Sequence, residues 1–237
     1  MPIKYKRILL KLSGESLMGD GSELYDKFTI DHIASQIEQV YNSGVEIAIT
    51  IGGGNIFRGI NAEAFGLDRT NADYMGMLAT IMNGIALKDF LAHHGLKTKV
   101  YSALAVGNIV DNYNREKVLQ SLAKKEIVIF VAGTGNPFFS TDSGAALRAL
   151  EIKADLLIKA TKVDGVYDSD PFKNSHAKKY QQVSFDEVIT KDLKVMDLTA
   201  FDLCKNHKIN IDVCNIFHKN ALKDSIEGNS QGTIIYA

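Results

Sequence analysis

The feature that most constrains the fold of this chain is the regular alternation of short apolar runs with longer amphipathic segments. Several of the short runs are almost continuously apolar, which is typical of strands that helices cover on both faces. In the longer segments, apolar residues recur with helical spacing. This alternation predicts an α/β protein with a mainly parallel sheet and a helix layer on each face. The predicted strands span residues 7–12, 46–51, 97–102, 127–132, 155–160, 209–216 and 232–237.

Two amphipathic segments and one polar stretch allow more particular predictions. Residues 29–44 end at Gly44, which suits the left-handed cap of a helix. Residues 72–95 carry an apolar stripe that we interpret as core, although it could equally line an interface between subunits. The turn-rich stretch 164–182 is expected to be a long surface loop, a hairpin or a lid. The apolar stripe comprises Met75, Leu78, Met82, Ile85 and Phe90.

Length and composition exclude several classes of protein. The 237 residues are 46% hydrophobic, which is enough for one sizeable core, so we expect residues 1–237 to form a single-domain, three-layer α/β/α sandwich. The 27 basic residues balance the 28 acidic ones and form no basic run, which argues against a nucleic-acid polymer as partner. A small anionic ligand held by a few cations is compatible with this charge.

The sequence predicts a cytoplasmic protein that does not enter a membrane. Its opening apolar stretch is too short for a signal peptide and lacks a small-residue cleavage site. No apolar run reaches the roughly 18 residues that a membrane-spanning helix needs. Cys204 and Cys214 match no zinc spacing and are expected to be buried, reduced thiols. The six histidines form no ligand cluster, so no metal site is predicted.

Glycine-bearing loops follow four of the predicted strands, and ligands of doubly wound sheets bind beyond the carboxyl ends of strands. In the first loop, Lys11 precedes Ser13 and Gly14, so a positive charge and backbone N–H groups could meet a phosphate, although an ordinary turn explains the pattern equally well. The second loop, ITIGGGNIFRG, has three adjacent glycines, which indicate a close approach to the main chain. Its Arg58 offers a forked guanidinium suited to phosphate.

The third and fourth loops are more polar than a simple turn requires. In GTGNPFFSTDSGAALRA, Gly133 and Gly135 permit close approach, and a polar cluster precedes a helix whose N–H groups and dipole face the ligand space. Phe138 and Phe139 belong either to the core or to the wall around a flat ring. The fourth loop, 159–171, either offers groups suited to a nucleoside or is a solvated loop with an Asp-Gly turn. Because these loops follow successive strands, we expect them to converge on one edge of the sheet.

These motifs, in this order, resemble the bacterial UMP kinases, a group within the amino acid kinase superfamily. The resemblance implies the amino acid kinase fold and phosphoryl transfer from MgATP to UMP, giving UDP and ADP in pyrimidine nucleotide synthesis. It also implies a cytoplasmic homohexamer, built as a trimer of dimers, with UTP as inhibitor and GTP as a common activator. The segments that carry the resemblance are KLSGES, IGGGNIFRG, DYMGMLATIMNG, GTGNPFFSTDSGAALRA, KATKVDGVYDSDP and LKVMDLTAF.

The resemblance also implies ligand contacts, position by position. The residues implied to hold ATP are Lys11, Leu12, Ser13, Gly14, Gly54, Arg58, Thr161, Tyr167 and Asp170. The residues implied to hold UMP are Gly53, Asp73, Thr134, Gly135, Asn136, Pro137, Phe138, Phe139, Ser140 and Thr141, with Asp73 accepting a hydrogen bond from the ribose. The residues expected to act in catalysis are Lys11, Arg58, Asp142 and Asp197.

The implied reaction needs no general base, because the acceptor is a phosphate oxygen that is already ionised at neutral pH. It needs in-line positioning and a reduction of the repulsion between two polyanions. Lys11 and Arg58 supply positive charge, and Mg²⁺ arrives with ATP. Asp142 and Asp197 either orient these donors or hold Mg²⁺ through water; simple helix-start roles are the alternative for both.

One segment departs from the pattern of the GTP-sensitive members. It contains glycines but lacks the aromatic-glycine ending expected of those members, so a GTP site here is a hypothesis. Its residues are Gly19, Asp20, Gly21, Ser22, Glu23 and Leu24.

Two other functions compete with the kinase acting on UMP. The first is a sister kinase on the same fold, acting on carbamate, glutamate, aspartate or acetylglutamate; the GTGNPFF loop and Asp73 favour a nucleotide acceptor instead. The second is a protein of this fold that stores metal oxoanions or binds nucleotides without turnover. Such a protein would be expected to lose Lys11 or the Ser-Thr-Asp run at 140–142, and this sequence keeps both.

Overall fold

The computed structural model contains a nine-stranded sheet with helices packed on both faces. The order of its strands is β4-β3-β5-β2-β1-β6-β8-β9-β7. Every neighbouring pair is parallel except β8 and β9, so the prediction of a mainly parallel sheet is confirmed. The structure describes residues 2–19, 21, 23–59, 66–171, 173–174 and 176–236.

The strands and helices alternate along most of the chain. The strands are β1 (Arg7–Leu12), β2 (Glu46–Ile51), β3 (Thr98–Ser102), β4 (Asp111–Asn112), β5 (Ile127–Val131), β6 (Leu156–Thr161), β7 (Gln182–Ser184), β8 (Asn210–Asn215) and β9 (Thr233–Tyr236). The helices are α1 (Lys27–Asn42), α2 (Arg69–His93), α3 (Arg115–Ala123), α4 (Thr141–Glu151), α5 (Phe185–Thr190), α6 (Leu198–Asn206) and α7 (Ala221–Glu227), with a 3₁₀ turn at Gly14–Leu17.

The seven predicted strands are present with ends that differ by at most one residue across the described positions. The sequence did not reveal β4 and β7, which have two and three residues and lie at the two edges of the sheet. Strands of two or three residues are too short to show the alternation of apolar and polar side chains that indicates a strand. The polar stretch after β6 forms the predicted hairpin-like loop, closed by an antiparallel bridge between Tyr167 and Lys179.

Alternation along the central strands divides the core between the two faces of the sheet. In β1, Leu10 and Leu12 pack into a cluster with α1, α2 and α7. Leu9 packs into the other cluster, beneath α3, α4, α5 and α6. Since successive side chains of a strand point to opposite faces, Lys11 lies on the same face as Leu9, under α4 and α6. This places its ammonium group near the carboxyl end of β1.

The interpretation of the α2 stripe as core is confirmed for Ile85 and Phe90, which pack against the core, and is wrong for its other three residues. The side chains of Met75, Leu78 and Met82 are 41%, 50% and 53% exposed. The face of α2 that packs on the sheet carries smaller residues: a Cβ at Gly84 would lie 2.2 Å from a methyl group of Val131. Small residues let the helix approach the strands closely, so the large apolar side chains remain on the outer face.

Helix α2 is also long and apolar enough to cross a membrane, by length and composition alone. Nearly half of its most apolar window is buried against the rest of the chain. One such helix is weak evidence for a membrane span, because a core helix of a soluble protein passes the same test.

Candidate active site

The four glycine-bearing loops meet at one edge of the sheet, as predicted. They leave β5, β2, β1 and β6, which are neighbours in the sheet in that order and are all parallel. The carboxyl ends of neighbouring parallel strands share an edge, and ligands of open α/β sheets bind there. Loops that are far apart in sequence therefore surround one space.

Two lysines on neighbouring strands face one carboxylate at this edge. Lys11 and Lys159 are directly paired in the register of β1 and β6. The Nζ atom of Lys11 lies 2.8 Å from Oδ1 of Asp142, and Nζ of Lys159 lies 2.7 Å from Oδ2. Each side chain is largely buried, so these charges are weakly screened by solvent. The carboxylate thus holds two ammonium groups side by side at the strand ends.

Helix α4 delivers Asp142 to the lysines. The helix begins after Ser140, whose hydroxyl accepts the N–H of Ser143 at 3.0 Å. Asp142 is therefore in the first helical turn and is not the cap. The positive end of the helix dipole also favours a carboxylate at this position. The alternative of a simple capping role for Asp142 is accordingly wrong.

The ionisation of this cluster follows from burial and charge together. Burial alone would raise the pKa of Asp142, but the charges and hydrogen bonds of Lys11 and Lys159 outweigh it and lower the pKa. Burial lowers the pKa of Lys159, and Lys11 lowers it further, while Asp142 opposes both effects. The ionised carboxylate is thus stabilised between the lysines, and the cluster carries net positive charge when both lysines are protonated.

Lys159 is the principal residue that sequence reasoning missed. It lies within the fourth glycine-bearing segment, yet we interpreted the run DLLIKA only as a buried strand. Its ammonium group also donates a short hydrogen bond to the carbonyl oxygen of Val195. The sequence did offer a sign of its role: Lys159 is a single lysine near the end of an apolar strand, as Lys11 is in β1.

Asp197 connects the starts of two helices. It caps α6, where its Oδ1 accepts the N–H of Ala200 at 3.0 Å. The same oxygen accepts the hydroxyl of Ser143 at 2.9 Å, and Oδ2 accepts a short hydrogen bond from the hydroxyl of Ser140. The carboxylate therefore fixes α6 against the start of α4, which supports the helix-start interpretation and adds a positioning role.

A small cavity of about 150 Å³ lies between α2 and the loop after β5. It brings together six of the residues that the resemblance assigns to UMP, which are Asp73, Thr134, Asn136, Phe139, Ser140 and Thr141. The other four assigned residues, Gly53, Gly135, Pro137 and Phe138, do not line it.

Asp73 holds the far end of this loop. Its Oδ2 accepts the backbone N–H of Phe138 at 2.7 Å, and both oxygens accept from Nε of Arg69 at 3.0 Å. A carboxylate has further acceptor capacity, so these contacts leave room for a ligand hydroxyl. Phe138 and Phe139 are 69% and 50% exposed, which excludes the alternative that they belong to the core.

A larger cavity of about 620 Å³ lies beside β6 and the hairpin that follows it. Thr161, Tyr167 and Asp170 line it, as the resemblance implies for the adenosine side, together with Lys159. Their hydrogen-bonding groups are partly engaged: the Thr161 hydroxyl donates to the carbonyl of Val163 at 2.6 Å, and the Tyr167 hydroxyl donates to Asp164 at 2.7 Å.

The lysine–aspartate cluster joins the linings of the two cavities. Thr141 lines the smaller cavity and directly precedes Asp142, while Lys159 lines the larger one. Since Asp142 and Lys159 are in contact, a ligand in either cavity can extend towards the same positive charges. Two anionic ligands can therefore meet at this cluster.

The glycines of the first two loops serve contacts within the protein. A Cβ at Gly14 would lie 2.7 Å from the N atom of Gly54, and one at Gly53 would lie 2.8 Å from Cβ of Ala79. The close approach that we predicted is therefore made at these positions by neighbouring loops and by α2. Gly54 has no such neighbour, so its backbone remains open to a ligand.

The remaining groups assigned to ATP lie along these loops. Arg58 is exposed and forms an ion pair with Glu15 at 2.7 Å, which links the first loop to the second. Ser13 caps the 3₁₀ turn, and its hydroxyl accepts the N–H of Ser16 at 3.2 Å. The side chain of Leu12 is fully buried in the core, so this residue can meet a ligand only through its backbone.

The proposed GTP segment is only partly covered by the structure, since Asp20 and Ser22 lie outside the described residues. Gly19 has a positive φ of 65°, and its carbonyl accepts a hydrogen bond from Nζ of Lys162 at 3.0 Å. This contact connects the segment to the loop after β6. Gly21, Glu23 and Leu24 are exposed.

Both cysteines are buried and free, as predicted. Burial raises the pKa of Cys204 to about 12 and raises the pKa of Cys214 as well, so neither thiol is activated. Within the described ranges, no group of three or more His, Cys, Asp or Glu residues is arranged to hold a metal ion.

The parallel sheet, the glycine loops at its edge, and the lysine–aspartate cluster between two cavities define an α/β protein with a candidate site for anionic ligands. The chain belongs to the amino acid kinase family, whose model matches residues 6–215. This confirms the fold predicted from the sequence and identifies the protein as a phosphotransferase.

Three solved structures show how far the similarity extends. The UMP kinase of Bacillus anthracis is 35% identical, with a TM-score of 0.95 over 98% of this chain and 96% of that one. The UMP kinase of Ureaplasma parvum is 40% identical, with a TM-score of 0.93 over 99% and 100% of the two chains. The uridylate kinase of Archaeoglobus fulgidus is 28% identical, with a TM-score of 0.71 over 96% and 99%.

Proposed function

We propose that this protein is a UMP kinase, which transfers the γ-phosphoryl group of ATP to UMP and releases ADP and UDP. The observation that carries the proposal is the contact of Lys11 and Lys159 with Asp142 at the junction of two cavities. The similarity to two UMP kinases over nearly the whole chain supports the choice of acceptor.

ATP occupies the larger cavity and UMP the smaller one in this proposal. The adenosine lies beside Thr161, Tyr167 and Asp170, and the triphosphate runs towards Lys159 and Lys11. UMP lies against α2, with its ribose at Asp73 and its phosphate at the start of α4. The N–H groups at that helix start favour a phosphate.

The chain catalyses the transfer through charge and position. Lys11 and Lys159 neutralise charge on the γ-phosphoryl group as it moves between oxygens, and they are already oriented by Asp142, so little reorganisation is needed. Arg58 exchanges its exposed partner Glu15 for a phosphate oxygen. Asp142 and Asp197 act as positioning residues, because their contacts are with protein groups that face the ligands.

The site is compatible with Mg²⁺ that arrives on ATP. Within the described residues, no cluster of three potential protein ligands is present, and Mg²⁺ bound to nucleotides keeps most of its ligands as phosphate oxygens and waters. When bound, the ion reduces the negative charge of the phosphates. Asp142, which lies between the two lysines, is the carboxylate that would hold a water of the hydrated ion.

The exposed face of α2 supports self-association. Met75, Leu78 and Met82 form a row of apolar side chains that are about half exposed in the single chain. Large apolar patches on a soluble protein usually mark an interface. We propose that this face pairs two copies of the chain and that three such dimers form a homohexamer of single-domain subunits.

We also propose that two nucleotides regulate the enzyme and that it acts in the cytoplasm. UTP, the product of the following phosphorylation step, acts as inhibitor because it shares the uridine of UMP, and GTP acts as activator through residues 19–24. The enzyme serves pyrimidine nucleotide synthesis in the cytoplasm. An activator effect of GTP would appear as a change in rate or in the saturation curves for ATP and UMP.

A coupled assay of ADP release tests the choice of acceptor. The purified protein is supplied with MgATP and, separately, with UMP, CMP, dCMP, carbamate or glutamate. Turnover with UMP far above the other acceptors supports the proposal. Preference for carbamate or glutamate would identify a sister kinase, and binding of ATP without turnover would identify a nucleotide-binding regulator.

A further inference from the structure

The loop that lines the smaller cavity begins with an unusual backbone conformation. Ala132, the residue directly after β5, has a φ of 61°, and Gly133 has a φ of 54°. The left-handed region is unfavourable for a residue with a Cβ, because that atom crowds the following carbonyl oxygen. Glycine tolerates this conformation, whereas alanine holds it only when surrounding contacts impose it.

The hydroxyl of Thr80 is one of the contacts that hold this turn, which a hydrogen bond from the N–H of Gly135 to the carbonyl of Ala132 at 2.8 Å also closes. The hydroxyl accepts the backbone N–H of Ala132 at 2.7 Å and donates its own proton to the carbonyl of Met77 at 2.7 Å. Ala132 and Thr80 are both buried, so solvent does not offer a replacement partner. The bond to Met77 orients the hydroxyl and directs a lone pair towards Ala132.

Helix α2 thus holds both ends of the loop. Thr80 binds the first residue, Ala132, and Asp73 binds the N–H of Phe138 near the other end. The two side chains are two helical turns apart and lie on one face of α2. Both line the smaller cavity.

Helix α4 limits the loop from the opposite side. A Cβ at Gly144 would lie 3.1 Å from the backbone of Gly133. The backbone of Gly133 therefore sits in contact with α4 and has little freedom to shift towards it. If the bond to Thr80 is lost, we expect the loop to relax towards the cavity that Thr80 and Thr134 line.

We propose that Thr80 is a positioning residue for the nucleotide acceptor. Its hydroxyl fixes Ala132 in the left-handed conformation, and the fixed turn presents Gly133 and Thr134 to UMP. This inference rests on the proposed function and assigns Thr80 to its acceptor side. Sequence reasoning did not single out Thr80, because a threonine inside an apolar helix resembles ordinary core.

The test compares Thr80→Val with Thr80→Ser. Valine keeps the shape of threonine but cannot accept or donate a hydrogen bond, whereas serine keeps the hydroxyl. We expect Thr80→Val to raise the KM for UMP about tenfold, in line with the loss of a buried hydrogen bond, and to change the KM for ATP by less than about twofold. Thr80→Ser should stay close to wild type. Thermal unfolding checks that both variants are folded.

A second variant separates strain in the loop from general damage. In the double variant Thr80→Val with Ala132→Gly, glycine adopts the left-handed turn without help from Thr80. The KM for UMP should therefore fall part of the way back towards wild type. Titration calorimetry of UMP binding should follow the same order.

The possible results separate this inference from the proposed function. Turnover of UMP by the wild-type protein tests the proposed function alone. Given that turnover, an unchanged KM for UMP in folded Thr80→Val, or an equal rise in both KM values, would overturn the role of Thr80. An increase that Thr80→Ser shares would also overturn it, because the hydroxyl would then not be the cause.

Discussion

A buried carboxylate in β8 gives a prediction whose size follows from the structure. Asp212 lies in β8 and is fully buried. Ser230 donates to its Oδ1 at 2.8 Å, and among the described residues its Oδ2 has no hydrogen-bond partner. Burial raises the pKa of Asp212 to about 6, and the hydroxyls of Ser225 and Ser230 oppose only part of that rise.

The raised pKa makes the stability of the protein depend on pH. Between about pH 4 and pH 6, the folded state keeps a proton that the unfolded state has released, so the free energy of unfolding falls as pH rises through this window. Above about pH 6, the free energy of unfolding has fallen by the full amount. The rise from 3.8 to about 6 corresponds to about 3 kcal/mol. The native carboxylate of Asp212 is therefore destabilising at neutral pH.

The variant Asp212→Asn keeps the shape of the side chain and removes its charge. It should gain about 3 kcal/mol relative to wild type near pH 7.5 but only about 1 kcal/mol near pH 4.5. Any cost of placing the amide group is common to both conditions, so the difference of about 2 kcal/mol between them is the firm prediction. Urea unfolding at equal protomer concentration measures both values.

The exposed carboxylate of Asp202 provides a matched control in α6. Asp202→Asn removes the same charge and should change stability by less than about 0.5 kcal/mol at either pH. The burial argument for Asp212 is refuted if Asp212→Asn changes the free energy of unfolding equally at both pH values. It is also refuted if the variant loses stability relative to wild type and loses more of it at the higher pH.

Three further predictions concern the site and the surface. Lys159→Met should lower kcat/KM by about 100-fold or more, whereas Lys117→Met, on the exposed face of α3, should leave it unchanged; equal effects would remove Lys159 from the mechanism. Asp73→Ala should raise the KM for UMP about tenfold and spare the KM for ATP, and steady-state kinetics with an unaltered KM for UMP would contradict its assignment. Leu78→Glu should reduce the molar mass measured by light scattering, because a buried charge disfavours the proposed interface; an unchanged mass would exclude this face.

The sheet and its neighbouring loops were predictable because each depends on local pattern. Continuous apolar runs located the strands, and glycine clusters at their ends located the loops that surround the site. Because neighbouring strands are parallel, the loops that follow them must lie at the same edge of the sheet. Asp142 could be placed with them because it follows a polar cluster that starts a helix.

Other parts depend on contacts between distant segments. Lys159 gains its significance from the register of β6 against β1, which sets it beside Lys11, and no local signal reports that register. The outer face of α2 was misjudged because Gly84 and other small residues mark the side that packs on the sheet. The role of Thr80 depends on the φ angle of Ala132, which composition does not reveal.

The central claim is that two nucleotides meet at the lysine pair. A crystal structure with UMP and a non-hydrolysable ATP analogue tests it most directly. The account predicts UMP between α2 and the loop after β5, the analogue beside β6, and the two facing phosphates within hydrogen-bond reach of Lys11 and Lys159. Nucleotides bound elsewhere, or phosphates that leave both lysines paired only with Asp142, would contradict it.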